Sequence, residues 1–416
     1  MKTTDRFIDG NTAVAYSVAQ TMNAIHQHAR IIGMVSGYPI TPNTEVLKVL
    51  NQAIEEERLR AVFRNATSEH AGFGILKGAA LLGAPAFTAS SSQGIALGVE
   101  ELMDIAFKRL PIVLFCASRA VGGLNILNDL SDMTRLLVKS GWVVLVANTG
   151  QEAYDLMPIA FGLANTAQLP VVVCLDGFRE THRSRNVGLE ENKKFLKFFR
   201  DVGWVRHTNL ADRQHPTVTG QLFTDNMYEE LTYAHHRAIQ SVGTRHYVDG
   251  IGETDLFRRI AECFRLAFDR PESYDVVSDF EIADAELVIV SVGSFDWTVR
   301  SAVRTLRDAG IPAGALSVRL VVPFPYDMIR YFLRDRKAVV VIDRSFDPDT
   351  GYFLEKVRHA LYDTPEHERP AIEGTTMALG GRYVRPELLT ELLRTAWQNL
   401  KNGSPLSLPD YADVRR

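Results

Sequence analysis

Unbroken apolar runs separated by helical patterns are the feature that most constrains what this chain can fold into. The runs Ile32–Ser36, Ala86–Ala89, Ile112–Ala117, Val143–Ala147 and Val171–Leu175 are typical of strands that are buried on both faces. Because amphipathic helical patterns lie between them, the sequence predicts an α/β fold with a parallel sheet covered by helices. In such sheets the active site lies at the carboxyl ends of the strands.

The helices of this first unit have recognisable starts. One helix is predicted to begin near Asn43 or Thr44, since both are good N-caps. Ser68 is placed to cap a helix of small residues that runs to about residue 82. Two further helices are predicted over 93–110 and 151–164.

Residues 187 to 275 break this rhythm and mix charged, aromatic and histidine side chains. We interpret them as a connecting arm with one or two helices that wraps a neighbour. The adjacent residues His235 and His236 point in different directions on a helix, which favours a solvated or interfacial role over a metal site.

A second, smaller α/β unit begins near residue 280. Its predicted strands are Leu287–Val292, Ala313–Val322 and Lys337–Asp343, with a helix over Trp297–Ala309. The sequence thus predicts two domains, with residues 1–245 containing the first sheet and the arm, and residues 246–416 containing the second sheet.

Charge and hydropathy exclude several classes of protein. The chain has 46 Lys and Arg against 50 Asp and Glu, so it lacks the positive excess of a nucleic-acid binder. Its longest apolar run, Leu110–Ala117, is far shorter than the ~20 residues that span a bilayer. No apolar signal-peptide region follows the first six residues. A cytoplasmic protein is therefore expected.

The three cysteines, Cys116, Cys174 and Cys263, are far apart and form no C-x-x-C motif. This chain alone therefore cannot supply the four thiolates of an iron–sulfur cluster or a structural zinc ion, and we expect it to bind no metal. A disulfide framework is excluded for the same reason. Buried apolar roles are expected for all three.

Several common catalytic motifs are also absent. There is no G-x-G-x-x-G after a strand, no Walker A, no G-x-S-x-G and no H-E-x-x-H. The Gly-Asp-Gly motif with a later Asn, which holds magnesium and diphosphate in thiamine enzymes, is missing as well.

Four groups of polar residues remain at predicted strand ends. The prolines of Tyr38–Pro42 make a rigid turn that can hold the Thr41 hydroxyl against a ligand. Glu69 lies in the first turn of a helix, where the helix dipole favours an anion. Ser90–Gly94 is a polar loop, and Arg119 can bind a carboxylate through two parallel hydrogen bonds. Each group also has a structural interpretation: a plain turn, a capping carboxylate, a capped loop and an internal salt bridge.

Together these strings resemble the 2-oxoacid:ferredoxin oxidoreductases, and specifically their pyruvate-type alpha subunit. The resemblance covers nearly the whole chain in the right order. The matching strings are Asp9–Ala13, Tyr38–Pro42, Ser68-Glu69, Ser91–Gly94, Arg119-Ala120, Ser131-Asp132, Asp176–Arg179, Arg319–Pro325 and Leu379–Arg382.

The resemblance implies a thiamine diphosphate-binding domain of the pyrimidine type, followed by a transketolase C-terminal-like domain. Enzymes of this family oxidatively decarboxylate a 2-oxoacid on thiamine diphosphate, transfer the acyl group to coenzyme A and pass electrons through iron–sulfur clusters. This chain would supply the pyrimidine half of the cofactor site. A beta subunit would bind diphosphate and Mg²⁺, and a gamma subunit and a ferredoxin-like iron–sulfur subunit would complete the hetero-oligomer. Ferredoxin or an NAD(P)-linked acceptor would take the electrons.

The same resemblance implies roles for individual residues. Glu69 would hydrogen-bond the aminopyrimidine ring and so assist removal of the thiazolium C2 proton. Arg119 would bind the substrate carboxylate, with Thr41 beside it. The cofactor-binding set would be Glu69, Tyr38, Pro39, Ser92 and Gln93.

One departure from the family pattern bears on the substrate. Pyruvate-type relatives usually carry Asp-His-Ser-Asp, whereas this chain has Asp129-Leu130-Ser131-Asp132, with Leu124 shortly before it. If Leu124 and Leu130 line the substrate pocket, they favour an aromatic 2-oxoacid such as phenylglyoxylate over pyruvate. If the leucines pack into the core instead, the substrate is pyruvate-like.

Three alternatives remain beside this assignment. The chain could be the alpha subunit of a pyruvate:ferredoxin oxidoreductase. It could also belong to a non-redox thiamine enzyme of the transketolase or ketoacid dehydrogenase type, against which the Tyr38–Pro42 string and Arg119 argue. A catalytically silent assembly subunit is a third possibility, but such a subunit would need none of Glu69, Thr41 and Arg119.

Overall fold

Strands and helices alternate along most of the chain, as the apolar runs predict. The computed structural model describes residues 4–122, 128–216, 225–243 and 255–414. The strands are β1 (Thr4–Ile8), β2 (Gly33–Gly37), β3 (Ala61–Asn65), β4 (Ala86–Ser90), β5 (Ile112–Ser118), β6 (Val143–Val146), β7 (Val171–Asp176), β8 (Arg185–Leu189), β9 (Val277–Phe280), β10 (Leu287–Ser291), β11 (Ala313–Val318), β12 (Leu320–Val322), β13 (Ala338–Asp343) and β14 (Ala371–Thr376). The α-helices are α1 (Gly10–Ala29), α2 (Thr44–Glu55), α3 (Glu69–Leu81), α4 (Ser92–Leu97), α5 (Val99–Phe107), α6 (Ser131–Arg135), α7 (Gly150–Ala167), α8 (Asn192–Val202), α9 (Asp225–Gly243), α10 (Leu256–Phe268), α11 (Asp296–Asp308), α12 (Tyr326–Leu333), α13 (Tyr352–Ala360) and α14 (Pro386–Lys401).

The first sheet confirms the predicted α/β class. Its seven strands have the order β12-β6-β7-β5-β4-β2-β3, and every neighbouring pair except β12–β6 is parallel. All residues of β4, β5, β6 and β7 are buried, which explains why their sequences are apolar without alternation. The predicted helix start at Thr44 is also confirmed.

The second sheet is smaller and has the order β14-β13-β10-β11-β9. Strands β14, β13, β10 and β11 are parallel, and β9 is an antiparallel edge strand. Its own apolar core includes Phe295, Leu306, Leu389 and Trp397 from the covering helices α11 and α14 and their flanks. A separate antiparallel pair, β1 and β8, lies outside both sheets.

The predicted single strand Ala313–Val322 is wrong, because it consists of two strands in two different sheets. Strand β11 lies beside β10, whereas β12 pairs with β6 in the first sheet. The residue between them, Arg319, is buried and its Nε lies 2.5 Å from a carboxylate oxygen of Glu152 in α7. Since both halves of the run are buried, nothing in its apolar pattern marks the point where the chain changes sheet.

The predicted helix over 93–110 is also interrupted. It forms α4 and α5, which meet at Gly98. A Cβ atom at Gly98 would lie 2.4 Å from the ring of Phe73 in α3. The break therefore lets the chain pass close to α3, a contact that a continuous helical pattern does not predict.

The connecting arm has more helices than predicted. Its described residues form three helices rather than one or two, and two of these, α8 and α10, pack against α1 and α7. Its contact with a neighbouring subunit stays a prediction. Contacts among Phe195, Phe198, Phe264 and Phe268 join α8 to α10. The two histidines of α9 do point in different directions, since His235 contacts the Gly141 carbonyl at 3.0 Å and His236 is exposed.

The division into domains at residue 245 stays a prediction. Helix α10 follows that point in the chain, yet it packs against α7 and α8 of the first unit. Strand β12 also extends the first sheet from within the second half. Elements from the second half of the chain, α10 and β12, therefore form part of the first unit.

Candidate active site

The carboxyl ends of four parallel strands bring the predicted site residues to one edge of the first sheet. Strands β2, β4, β5 and β7 are consecutive neighbours in the order β7-β5-β4-β2. Ser90 at the end of β4 is level with Cys116 in β5, and Ser118 at the end of β5 is level with Asp176 in β7. The Tyr38–Pro42 turn, the loop after β4 and Arg119 thus follow adjacent strands.

Arg119 connects these loops. Its side chain is only 5% exposed, and its guanidinium donates hydrogen bonds to the Thr41 carbonyl oxygen and to Oε1 of Gln93. Burial lowers the pKa of Arg119, and Asp132 opposes that shift, so the guanidinium remains a cation. Three residues predicted separately from sequence therefore meet in one cluster. The contact from Thr41 is made by its backbone carbonyl rather than by its hydroxyl.

Two polar side chains, one amide and one hydroxyl, hold the backbone of the Tyr38–Pro42 turn. Asn11 in α1 donates to the Pro42 carbonyl at 2.7 Å, and Ser91 Oγ lies 3.4 Å from the Thr41 carbonyl oxygen. The side chains of Tyr38, Pro39 and Thr41 are exposed. The turn consequently offers these three side chains to the surface while its backbone is held in place.

Glu69 begins α3, whose N-cap is Ser68 as predicted. Ser68 Oγ accepts the Ala71 amide at 3.2 Å, so the capping role belongs to Ser68 and the Glu69 carboxylate is not needed for it. Glu69 is 9% exposed, and within the described ranges its carboxylate makes no hydrogen bond. A carboxylate in this position is available to a ligand at the helix N-terminus.

Gly94 lets the backbone of α4 come close to Glu69. A Cβ atom on Gly94 would lie 2.6 Å from Oε1 of Glu69 and 2.5 Å from Oγ of Ser90. A Cβ atom on Gly72 in α3 would lie 3.4 Å from Cα of Gly37 at the end of β2, an ordinary contact distance, so that position does not require glycine. The Ser90 hydroxyl is buried without a hydrogen-bond partner.

Ser92 and Gln93 are engaged by the protein in this structure. The Ser92 amide donates to Asp132 at 3.1 Å and its hydroxyl donates to the Ala120 carbonyl at 2.5 Å. Gln93 accepts from Arg119 and donates to the Gly122 carbonyl at 3.4 Å. Both residues hold the loops after β4 and β5 together, and their contact with a cofactor stays a prediction.

The structure describes one of the two leucines on which the predicted aromatic substrate depends. Leu124 lies outside the described residues. Leu130 is fully buried in the main hydrophobic core, and its amide donates to the Arg344 carbonyl at 3.1 Å. Leu130 therefore packs among core residues, as in the alternative given above, and its contact with a substrate stays a prediction.

Two further residues of the cluster, Asn11 and Asp132, lie in strings that match the family but received no individual role from the sequence. Asn11 supports the turn after β2, and Asp132 is a completely buried carboxylate beside Arg119. Burial raises the pKa of Asp132 to about 7, while hydrogen bonds from the Arg119 and Ser92 amides oppose the shift. The available signal was the Ser131-Asp132 string, to which the sequence assigned no role.

The second unit reaches this edge through a buried ion pair. Asp176, at the end of β7, and Arg344, just after β13, are 0% and 1% exposed, and Asp176 Oδ1 lies 2.7 Å from Arg344 Nη1. The Ser294 amide also donates to Asp176 at 2.7 Å. This pair joins the carboxyl edges of the two sheets next to the site.

The described part of the chain contains no group of three His, Cys, Asp or Glu side chains arranged to hold a metal ion. Within those same residues, none of the helices has the length and apolar character needed to cross a membrane.

Comparisons with known proteins agree with the fold and with the order of the motifs. Residues 27–247 match the family model described as pyruvate flavodoxin/ferredoxin oxidoreductase, thiamine diphosphate-binding. Residues 285–389 match the model for pyruvate:ferredoxin oxidoreductase core domain II. The first match contains β2 to β7 of the first sheet, and the second contains the four parallel strands of the second sheet.

Individual relatives cover almost the whole chain. It is 34% identical over 396 residues to pyruvate synthase subunit PorA of Thermotoga maritima, covering 94% of each chain. It is 30% identical to ketoisovalerate oxidoreductase subunit VorA of Pyrococcus abyssi, covering 91% of this chain and 89% of the relative. The 2-oxoglutarate:ferredoxin oxidoreductase from Magnetococcus marinus, solved with 2-oxoglutarate, coenzyme A and succinyl-CoA bound, shares the fold with a TM-score of 0.64 and 20% identity. That match covers 94% of this chain and 65% of the longer solved chain.

Proposed function

The chain belongs to the pyruvate flavodoxin/ferredoxin oxidoreductase family, and from that premise we propose that it is the alpha subunit of a 2-oxoacid oxidoreductase. The proposed reaction is R-CO-COO⁻ + CoA-SH → R-CO-S-CoA + CO₂ + H⁺ + two electrons. The observation that carries the proposal is the meeting of Arg119, Thr41 and Gln93 at the edge of the sheet that also bears Glu69. An assembly subunit would have no need of a buried arginine and a carboxylate without a partner at this edge.

Glu69 is the residue we assign to the pyrimidine half of thiamine diphosphate. The fit rests on the Glu69 carboxylate, which makes no hydrogen bond within the described residues, and on the unpartnered Ser90 hydroxyl near it; both lie against the backbone of Gly94, where a Cβ atom would displace them. When bound, thiamine diphosphate supplies the nucleophilic carbon that attacks the substrate carbonyl. Glu69 would hold a proton at the pyrimidine ring nitrogen, and Tyr38 and Pro39 would lie beside the ring.

Arg119 is the residue we assign to the substrate carboxylate. Its planar guanidinium suits a carboxylate through two parallel hydrogen bonds, and its contacts with Thr41 and Gln93 fix the plane of that group. The Thr41 side chain is exposed, and its backbone carbonyl accepts a hydrogen bond from the same guanidinium. A fixed arginine would orient the 2-oxoacid so that its carbonyl carbon faces the cofactor.

The choice of 2-oxoacid is the finer part of the proposal. The sequence favours an aromatic substrate through Leu124 and Leu130, and the burial of Leu130 in the hydrophobic core supports this preference less than an exposed leucine would. Pyruvate synthase and ketoisovalerate oxidoreductase subunits are among the similar relatives. We therefore expect a small aliphatic 2-oxoacid, with phenylglyoxylate as the second candidate that depends on the segment around Leu124.

The remaining parts of the enzyme are assigned to partners. We propose that a beta subunit binds diphosphate and Mg²⁺, and that a gamma subunit and a ferredoxin-like iron–sulfur subunit complete a cytoplasmic hetero-oligomer. This division is supported by the missing Gly-Asp-Gly motif and by three widely spaced cysteines, of which Cys116 and Cys174 are buried. Ferredoxin or an NAD(P)-linked protein would receive the electrons.

The test is to co-express the chain with its partner subunits and to measure coenzyme A-dependent reduction of a one-electron dye. Pyruvate, 2-oxoisovalerate and phenylglyoxylate should be compared, each with and without thiamine diphosphate and Mg²⁺. We expect a brown, iron-containing complex whose activity requires the cofactor. An iron-free complex that acts on 2-oxoacids without dye reduction would support the non-redox alternative, and a complex that binds no thiamine diphosphate would support the assembly role.

A further inference from the structure

Asp132 lies between the two loops that carry the site residues. Its carboxylate is fully buried. Oδ2 accepts the backbone amide of Ser92 at 3.1 Å and the backbone amide of Arg119 at 3.0 Å, and the Cys116 thiol lies 3.4 Å away. Oδ1 accepts the amide of Met133 at 2.8 Å. A single carboxylate therefore ties the loop after β4 to the loop after β5.

These ties act on the backbone positions that determine where Arg119 points. Arg119 is the first residue after β5, so its φ and ψ angles are no longer set by the sheet. Ser92 has φ of +45°, a conformation that residues with a side chain rarely adopt unless their surroundings hold them there. Gln93, which follows it, accepts from the Arg119 guanidinium. Without Asp132, both ends of the Arg119–Gln93 contact would lose a backbone anchor.

The segment that bears Asp132 is itself held by the second unit. The Leu130 amide donates to the Arg344 carbonyl at 3.1 Å, and the Phe346 amide lies 3.4 Å from the Ser131 hydroxyl. The Arg344 guanidinium donates to Oδ1 of Asn128 at 3.2 Å. Residues 128–132 are thus attached to residues 344–346 by both backbone and side-chain hydrogen bonds.

Arg344 is in turn fixed by the first unit. Its guanidinium pairs with Asp176, which ends the strand next to β5, and Asn128 donates to the Gly177 carbonyl at 2.6 Å. Since both members of the ion pair are buried, the pair has little freedom to rearrange. The contacts form a continuous path from the second sheet through residues 128–132 to Arg119.

We propose that Asp132 is a positioning residue for the substrate arginine Arg119, and that Arg344 of the second unit holds the segment from which Asp132 projects. The inference rests on the proposed function of Arg119 as the carboxylate-binding group. Because Asp132 is completely buried, it acts through the Arg119 and Ser92 backbones and does not touch the substrate. The second unit then contributes to substrate binding without supplying a residue to the pocket.

The test uses Asp132→Ala in the complete hetero-oligomer and in the full-length chain. We expect KM for the 2-oxoacid to rise about tenfold or more, with a smaller change in kcat, because a misplaced arginine loses a charge-assisted hydrogen bond to the carboxylate. Hydrogen exchange measured by mass spectrometry should become faster in peptides covering residues 91–93 and 118–121. Arg344→Met should change KM and the same peptides in the same direction, together with the peptide covering 128–132.

Asp155→Ala is the matched control, because Asp155 is also a buried carboxylate of the first unit and accepts hydrogen bonds from Arg270 and Tyr274, which lie outside the loops after β4 and β5. It should lower stability and leave KM and both peptides unchanged. If Asp132→Ala fails to fold, Asp132→Asn replaces it, with smaller effects expected since one oxygen remains. Wild-type KM and exchange in the Asp132 variants, or changes equal to those of the control, would overturn the inference. A wild-type complex without 2-oxoacid activity counts against the proposed function alone. Hydrogen exchange would still test whether Asp132 holds the loops after β4 and β5.

Discussion

Glu69 and Arg119 are charged side chains of similar burial, and the proposed mechanism gives them separable roles. Glu69 leads a helix N-terminus and makes no hydrogen bond within the described residues, whereas Arg119 is oriented by Thr41 and Gln93. A carboxylate that moves a proton on the cofactor affects turnover, and a cation that binds the substrate affects affinity. Substitutions at the two positions should therefore produce different kinetic results.

Replacing Glu69 with Gln should reduce kcat by about a hundredfold or more, because the amide cannot exchange the proton that a carboxylate exchanges. The amide is nearly isosteric, so thiamine diphosphate should still occupy the site. Steady-state kinetics of the reconstituted complex and a cofactor titration by calorimetry measure the two quantities. Activity near the wild-type level would rule out the proton-transfer role.

Arg119→Ala provides the contrasting result. We expect KM for the 2-oxoacid to increase by roughly 10- to 100-fold, the effect of losing a hydrogen bond between charged groups. Cofactor occupancy should be unchanged. Loss of thiamine diphosphate together with unaltered substrate affinity would mean that Arg119 serves the cofactor and not the substrate.

At the scale of secondary-structure elements, the backbone of α4 approaches Glu69 closely at Gly94, where a Cβ atom would lie 2.6 Å from Oε1 of Glu69. The glycines of α3 itself leave room for a methyl group, since the nearest atom to a Cβ atom lies at 3.4 Å for Gly72 and 3.8 Å for Gly74. The close packing beside Glu69 therefore depends on Gly94 and not on the composition of α3.

Gly94→Ala tests this element directly. The new methyl group would lie 2.6 Å from Oε1 of Glu69 and 2.5 Å from Oγ of Ser90, so these side chains must move. We expect thiamine diphosphate affinity to fall by about tenfold or more, which corresponds to a modest packing penalty of 1–3 kcal/mol. Titration of the reconstituted complex with the cofactor gives the measurement.

Gly78→Ala in α3 is the matched control for this substitution, because a Cβ atom there meets nothing within 4 Å. It should leave cofactor affinity unchanged and slightly increase helix stability. Equal cofactor affinity in the Gly94 and Gly78 variants would show that the position of Glu69 against Gly94 does not matter for cofactor binding.

At the scale of the whole molecule, two buried ion pairs join the second α/β unit to the first. Arg344 pairs with Asp176, and Arg319 pairs with Glu152 at 2.5 Å where the chain changes sheet. Arg319 also donates to the Asp275 carbonyl, and its guanidinium lies over the ring of Tyr274. Such pairs add little net stability when intact, but a single buried charge left behind is costly.

Arg319→Met should therefore lower the free energy of unfolding by about 3–5 kcal/mol, because Glu152 remains buried without its cation. The double variant Arg319→Met/Glu152→Gln should recover part of that loss. Denaturant unfolding of the full-length chain, arranged as a double-mutant cycle, measures both values. Equal destabilisation by the single and double variants would contradict the idea that the unpaired charge is the cause.

The sequence by itself determined the α/β class, the strand ends where the site lies and the family. These features are local: an apolar run is buried wherever it lies in the sheet, and the turns after strands carry the polar residues that a ligand needs. Glu69, Arg119 and the Tyr38–Pro42 turn were found in this way. The cap at Ser68 and the helix start at Thr44 were also local signals.

Only the tertiary structure decided how these positions combine. The change of sheet at Arg319, the break at Gly98 and the burial of Leu130 all depend on which distant residues pack against them. Asp132 reads in sequence as an ordinary acidic residue. It lies between the Ser92 and Arg119 amides because β4 and β5 are neighbours. The second unit also holds residues 128–132 at the ends of these strands through hydrogen bonds. Contacts between residues far apart in the chain leave no periodic pattern in it, and for that physical reason the sequence alone did not predict them.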